Sequence, residues 1–183
     1  MIATGITTRL ILVCVFLFVS SRIVLSKDSA HLDVRTTDEQ EIYAVVIRSQ
    51  MEQWIRSAET NRAEAKEKWQ RVTAEKLNFG VFFVSINRKD PSDGFLRRLH
   101  DIPRKIEKLS SARYGELGAP FDKTTHQPGI IFSVEGVHWS NADGAELHGG
   151  YFCDGRCGAR ILFRVERKNG QWVVKSSERE AVL

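Results

Sequence analysis

Apolar and polar positions change period three times along this 183-residue chain. LILVCVFLFV (10–19) is an unbroken apolar run. From Thr36 the period is helical: Ile42, Val45, Val46, Met51, Trp54 and Ile55 form one apolar stripe. Thr36-x-x-Glu39 has the capping-box pattern that satisfies free N–H groups where a helix begins, so a helix start is expected there. NRAEAKEKWQRVTAEKL (61–77) keeps helix-forming residues but few apolar ones. It reads as a solvated extension of that helix or a second, exposed one. GVFFVSINR (80–88) is aromatic and β-branched and predicts a mostly buried strand. Ser92 or Asp93 can cap a short helix that Pro103 closes.

Residues 103–128 show little periodicity and hold Gly115, Gly118, Pro120 and Pro128, so an active-site loop, if there is one, can lie here. From 129 the period is two. Strands are predicted at 129–139, 145–153, 159–167 and 171–177, separated by Asn141–Gly144, Asp154-Gly155-Arg156 and Lys168-Asn169-Gly170. Asn-Gly between alternating runs signals a hairpin, because both residues tolerate positive φ. Ile161, Phe163 and Val165 put one face of the third strand toward a core; Arg160, Arg164 and Glu166 put the other toward water. The predicted fold is α+β, an N-terminal helix on a curved antiparallel meander, with a cystatin- or NTF2-like architecture by analogy only.

Positive Arg9, the apolar run 10–19 and the ending Val24-Leu25-Ser26 match a signal peptide over 1–26. Retention as a membrane anchor is the alternative, since Arg22 can snorkel to the interface. The expected organisation is 1–26 signal or anchor, 27–36 polar leader, and 37–183 one α+β domain. The expected location is periplasmic or secreted. The chain carries 27 Lys+Arg and 23 Asp+Glu; loss of 1–26 removes Arg9 and Arg22 and leaves a net +2. So small and interleaved a charge offers no footprint for nucleic acid.

Export also decides the cysteines. Of three, Cys14 lies in the leader, and Cys153 and Cys157 remain to pair in an oxidising compartment. A redox reading lacks the Cys-x-x-Cys spacing at a helix start. A metal reading needs His138 and His148 as further ligands, but His148 and Cys153 are five apart and face opposite ways in a regular strand. A structural disulfide is favoured, with no cofactor and no metal.

Gly-Gly-Tyr-Phe-Cys-Asp-Gly-Arg-Cys-Gly (149–158), followed by Lys-Asn-Gly-Gln-Trp-Val-Val (168–174), resembles the C-terminal half of an uncharacterised group of exported bacterial proteins. That group has a Tyr-x-Cys…Cys-Gly hairpin followed by a Lys-x-Gly-x-Trp strand, and a helix comparable to Glu41-Ile42-Tyr43-Ala44. This chain departs from it at Gln171, where Lys is common, and in a charged stretch at 58–76. The resemblance implies fold and compartment only.

For an enzyme, the acid–base candidates are His100, His126, His138 and His148 with Asp122, Asp143 and Glu135. No nucleophile elbow, zinc helix or phosphate loop accompanies them. A binding module would instead use a concavity lined by Trp139, Tyr151, Phe152 and Trp172, although Trp172 suits the core. The expected pocket residues are His138, Trp139, His148 and Tyr151. The sequence favours a non-catalytic binding or envelope-associated domain with an unknown ligand or envelope partner. A hydrolase using a pocket histidine, or a thiol-redox enzyme using Cys153 and Cys157, is the alternative.

Overall fold

The computed structural model describes residues 7–65 and 79–182, with side chains from Arg35 onward and not that of Leu117. The chain divides into two units between Glu39 and Gln40. The helix α1 covers Thr7–Glu64. Backbone at 27–36 is therefore helical, and no helix start occurs at Thr36. The reason is local: from Ile6 to Phe79 there is neither glycine nor proline, and a capping box is worth about 1 kcal/mol, too little to break such a run. The side chains of the apolar run 10–19, and residues 66–76 of the charged segment 58–76, lie outside the described residues. Among the residues whose side chains are described, no helix is long and apolar enough to cross a membrane.

The second unit contains a six-stranded sheet in which β2 (Lys105–Lys108) lies beside β1 (Val81–Ile86), followed by four more strands, β5 to β8, in chain order. The last four strands, β5 (Gly129–Asn141), β6 (Gly144–Asp154), β7 (Cys157–Lys168) and β8 (Gln171–Val182), are the expected meander. Asn169 and Gly170 turn its last hairpin with φ of 53° and 78°, as the Asn-Gly signal requires. Bulges at Glu135/His138, Phe152/Asp154 and Arg164/Val165 add twist and curve the sheet.

The periodicity did not reveal that β1 (Val81–Ile86) lies parallel to both β5 and β2 (Lys105–Lys108). Parallel neighbours need a crossover. The one from β1 to β2 contains α2 (Asp93–Arg97), whose N-cap Ser92 accepts from the Phe95 amide. Residues 103–128 are not a plain loop. Besides β2 they form β3 (Ala112–Tyr114) and β4 (Pro120–Asp122), an antiparallel pair interleaved with 3₁₀ turns.

Two cores result. On one face Ile42, Val46, Ile47, Met51 and Ile55 of α1 pack with Phe82, Phe132, Leu147 and Phe163. Each such side chain contributes roughly 1.5–3 kcal/mol by leaving water. On the other face Val81, Phe83 and Ile131 meet Leu109, Ala112 and Phe152, so the 103–128 segment covers that end of the sheet. Burial on both faces explains why β1 reads as a continuous apolar run rather than an alternating one. Beyond that cover, β6–β8 present a lattice of Glu146–Arg164–Glu178 and Arg160–Glu180 ion pairs.

Candidate functional site

Where α1 passes over β6, β7 and β8, a cavity of about 200 Å³ opens between helix and sheet. Two stripes of α1 form one wall. Gln50, Trp54 and Ala58, one turn apart, are the deeper; Gln53, Ser57 and Asn61 are the outer. Tyr151, Ile161 and Arg179 close it from the sheet. Ile161 and Arg179 are register partners on adjacent strands, so their side chains share a face. The Trp54 ring is wedged between aromatic neighbours, 5.8 Å from Phe79 and 5.0 Å edge-on to Tyr151.

Gln50 anchors the deep end. Its Nε2 donates to the Ser133 carbonyl at 3.3 Å, and because a carbonyl only accepts, the amide orientation is fixed. Gly149 makes the approach feasible. A Cβ there would stand 2.9 Å from Ser133 O, 3.0 Å from Phe163 and 3.1 Å from Gln50 Nε2. The other half of the amide is unsatisfied: Gln50 Oε1 and Trp54 Nε1 are buried without a hydrogen-bond partner among the described residues. An orphaned buried polar group costs about 1–3 kcal/mol. Here an acceptor and a donor of this kind lie one helical turn apart on the same wall.

Of the expected pocket residues, only Tyr151 lines this cavity. Trp139 lies opposite Ala145 and packs at 5.6 Å on Trp172, which is buried in the core as expected. His138 is exposed and pairs in register with Glu146. His148 sits opposite Glu135, and its Nε2 is 3.3 Å from Glu180 Oε1. Ala145 and Leu147 turn to the core, so Glu146 and His148 turn to the charged face, and the four residues do not form one pocket. Phe152 joins the second core.

The other acid–base candidates are dispersed. His100 Nδ1 contacts the Arg97 carbonyl at 2.8 Å, and His126 packs edge-on to Phe121 in a positive-φ turn. Glu135 is held by Arg88 at 3.1 Å. Asp143 lies in the turn that the Asn141 side chain caps, its amide donating to Asn141 Oδ1 at 2.8 Å. Asp122 is buried, and its carboxylate accepts from Lys105 Nζ at 2.8 Å and from the Thr124 and Thr125 amides at 2.7 and 2.9 Å. The lysine hydrogen bond, then the two amides, hold its pKa well below the usual carboxylate range. Asp122 thereby fixes the 103–128 cover.

Cys153 and Cys157 are joined by a disulfide with Cα atoms 5.2 Å apart. Gly155 and Arg156 make the turn, and the Arg156 amide donates to Asp154 Oδ1 at 2.7 Å. Gly158 pairs with Phe152 inside β7. Among the described residues no group of three or more His, Cys, Asp or Glu is placed to hold a metal ion.

Gln50, Gln53, Ser57 and Asn61 were not among the expected site residues, because uncharged polar residues on a helix read as solvated. The legible signal was Gln50. The stripe that continues from Ile42 and Val46 arrives at an amide. No family model, curated protein or solved structure matches this chain.

Proposed function

We propose that this chain is an exported, non-catalytic binding domain, stapled by its disulfide, whose cavity between α1 and β6–β8 takes a small ligand. The observation that carries the reading is the pair of buried polar atoms without a partner among the described residues, Gln50 Oε1 and Trp54 Nε1, on two residues that line a cavity roomy enough for a small organic molecule. Two such orphans are costly where stability is the sole concern; a ligand offering a donor and an acceptor removes that cost. Export rests on the leader pattern at 1–26, on the paired cysteines and on the resemblance to exported proteins. The thiol-redox alternative draws less support: Cys153 is 2% exposed and packed in the main core, whereas a reactive cysteine needs access to its substrate. The hydrolase alternative would need a histidine in the cavity, and its wall has none among the described residues.

The test is an ¹⁵N-resolved titration of the full chain with a set of small neutral and charged compounds. At least one should shift the Trp54 indole N–H saturably, identically with and without a disulfide reductant. A set that leaves the Trp54 indole unmoved contradicts the proposal. Binding that vanishes on reduction favours the thiol reading.

A further inference from the structure

We infer that the cavity binds a small carboxylic acid bearing an amide, of the N-acyl amino acid class, with its carboxylate on Arg179 and its amide toward Gln50 and Trp54. The inference rests on the reading of this cavity as a ligand site, and it adds the chemical class.

Size sets the first limit. A cavity of about 150 Å³ holds benzene, so the ~200 Å³ here suits a molecule of about eight to ten heavy atoms. Charge sets the second. Arg179 is the sole charged side chain among the described lining residues, and no described residue forms an ion pair with it. A guanidinium presents a planar fork that matches a carboxylate. One cation balances a monoanion; a phosphate group, at nearly twice the charge, calls for more than one.

The helix wall sets the third. Elsewhere the exposed surface of this stretch of α1 is charged, at Arg56, Glu59 and Arg62, yet the outer stripe facing the cavity is Gln53, Ser57 and Asn61. An uncharged hydrogen-bonding wall fits a neutral polar body. Deeper in, one orphaned acceptor and one orphaned donor match the N–H and C=O of one amide group. Both atoms are shut off from solvent, so contact with them requires the Gln50 and Trp54 side chains to shift when the ligand enters. Trp54, Tyr151 and Ile161 leave apolar surface for a short aliphatic substituent.

The experiment titrates the ¹⁵N-labelled full chain with N-acetylalanine and, separately, with its size-matched neutral amide, N-acetylalaninamide. The reporter is the Trp54 indole N–H, assigned by Trp54→Phe. N-acetylalanine should shift it saturably and bind at least roughly tenfold tighter than the amide, the margin expected of a charge-assisted contact. Arg179→Gln should abolish that preference. Arg160→Gln, a loss of equal charge on the ion-paired face, should leave it intact. Equal affinity for the two probes, or a preference that survives Arg179→Gln, overturns the inference. If neither probe acts but another small compound moves the Trp54 indole, the carboxylate inference fails and the ligand-site reading stands. If no compound moves it, both fail.

Discussion

Gln50 occupies a position that the periodicity of α1 assigns to the core: Ile42 and Val46 precede it at four-residue steps, and all three are buried. One half of its amide is held by Ser133 O; the other half has no partner among the described residues. If the residue serves a ligand rather than the fold, Gln50→Met should cost little. It gives up one hydrogen bond and removes one orphaned acceptor, and these are of similar size, about 1 kcal/mol. The expected result is a Tm unchanged within about 3 °C, with binding at the cavity lost. A large fall in Tm would make Gln50 a structural anchor. Asp122 is the contrasting buried polar residue, with its carboxylate fully engaged. Its folded pKa is depressed, so its contribution is present above the unfolded carboxylate value and fades as pH falls toward the folded one. Asp122→Asn should therefore be less stable than the parent at pH 7. The gap should narrow as pH drops below about 4, the unfolded value. Thermal melts across that range check it; a gap that widens in acid would contradict the assignment.

At the scale of elements, the meander was legible because its signals are local. Period-two strands, an Asn-Gly turn with two positive-φ residues and an Asp-led turn at 154–156 each act over a few neighbours. The α1 stripe was legible for the same reason, as Ile42, Val46, Met51 and Ile55 are all buried. The parallel pairing of β1 with β2 and β5 was not, because partners separated by a crossover leave no mark on period. The unbroken apolar run of Val81–Val84 was its one trace. Residues 103–128 escaped because their strands are three or four residues long and broken by 3₁₀ turns, too short for any period to show. In the cavity, Tyr151 and Trp54 could be picked out as aromatic, but the polar stripe and Arg179 become a site only when helix and sheet meet. The disulfide acts on this scale too. It closes a very short loop, so its effect on chain entropy falls below the ~3 kcal/mol of a 15-residue loop. Reduction should raise amide exchange around the β6–β7 turn while shifting Tm by only a few degrees. Exchange mass spectrometry with and without reductant reads both. Global unfolding on reduction would show that the bond holds the whole fold.

For the molecule as a whole, α1 covers the core and, under the proposed reading, forms one wall of a ligand site. On that reading one helix carries a stability function at Ile47 and Met51, fully buried, and a recognition function at Trp54 and Ala58, one and two turns beyond Met51. Both depend on the helix holding its register on the sheet, so a bound ligand should stabilise the fold by mass action, by about 2.7 kcal/mol at a hundredfold excess over Kd. Ala58 separates the two functions. It is 7% exposed and lines the cavity without belonging to the main core cluster. A larger apolar side chain at this position fills empty space rather than overpacking the core. The deciding comparison is therefore the affinity of the parent chain and of Ala58→Met for any compound that shifts the Trp54 indole. Ala58→Met should fold with an equal or higher Tm and bind at least roughly tenfold more weakly, a loss of about 1.4 kcal/mol. An unchanged affinity in a well-folded Ala58→Met would place the ligand elsewhere and contradict the account.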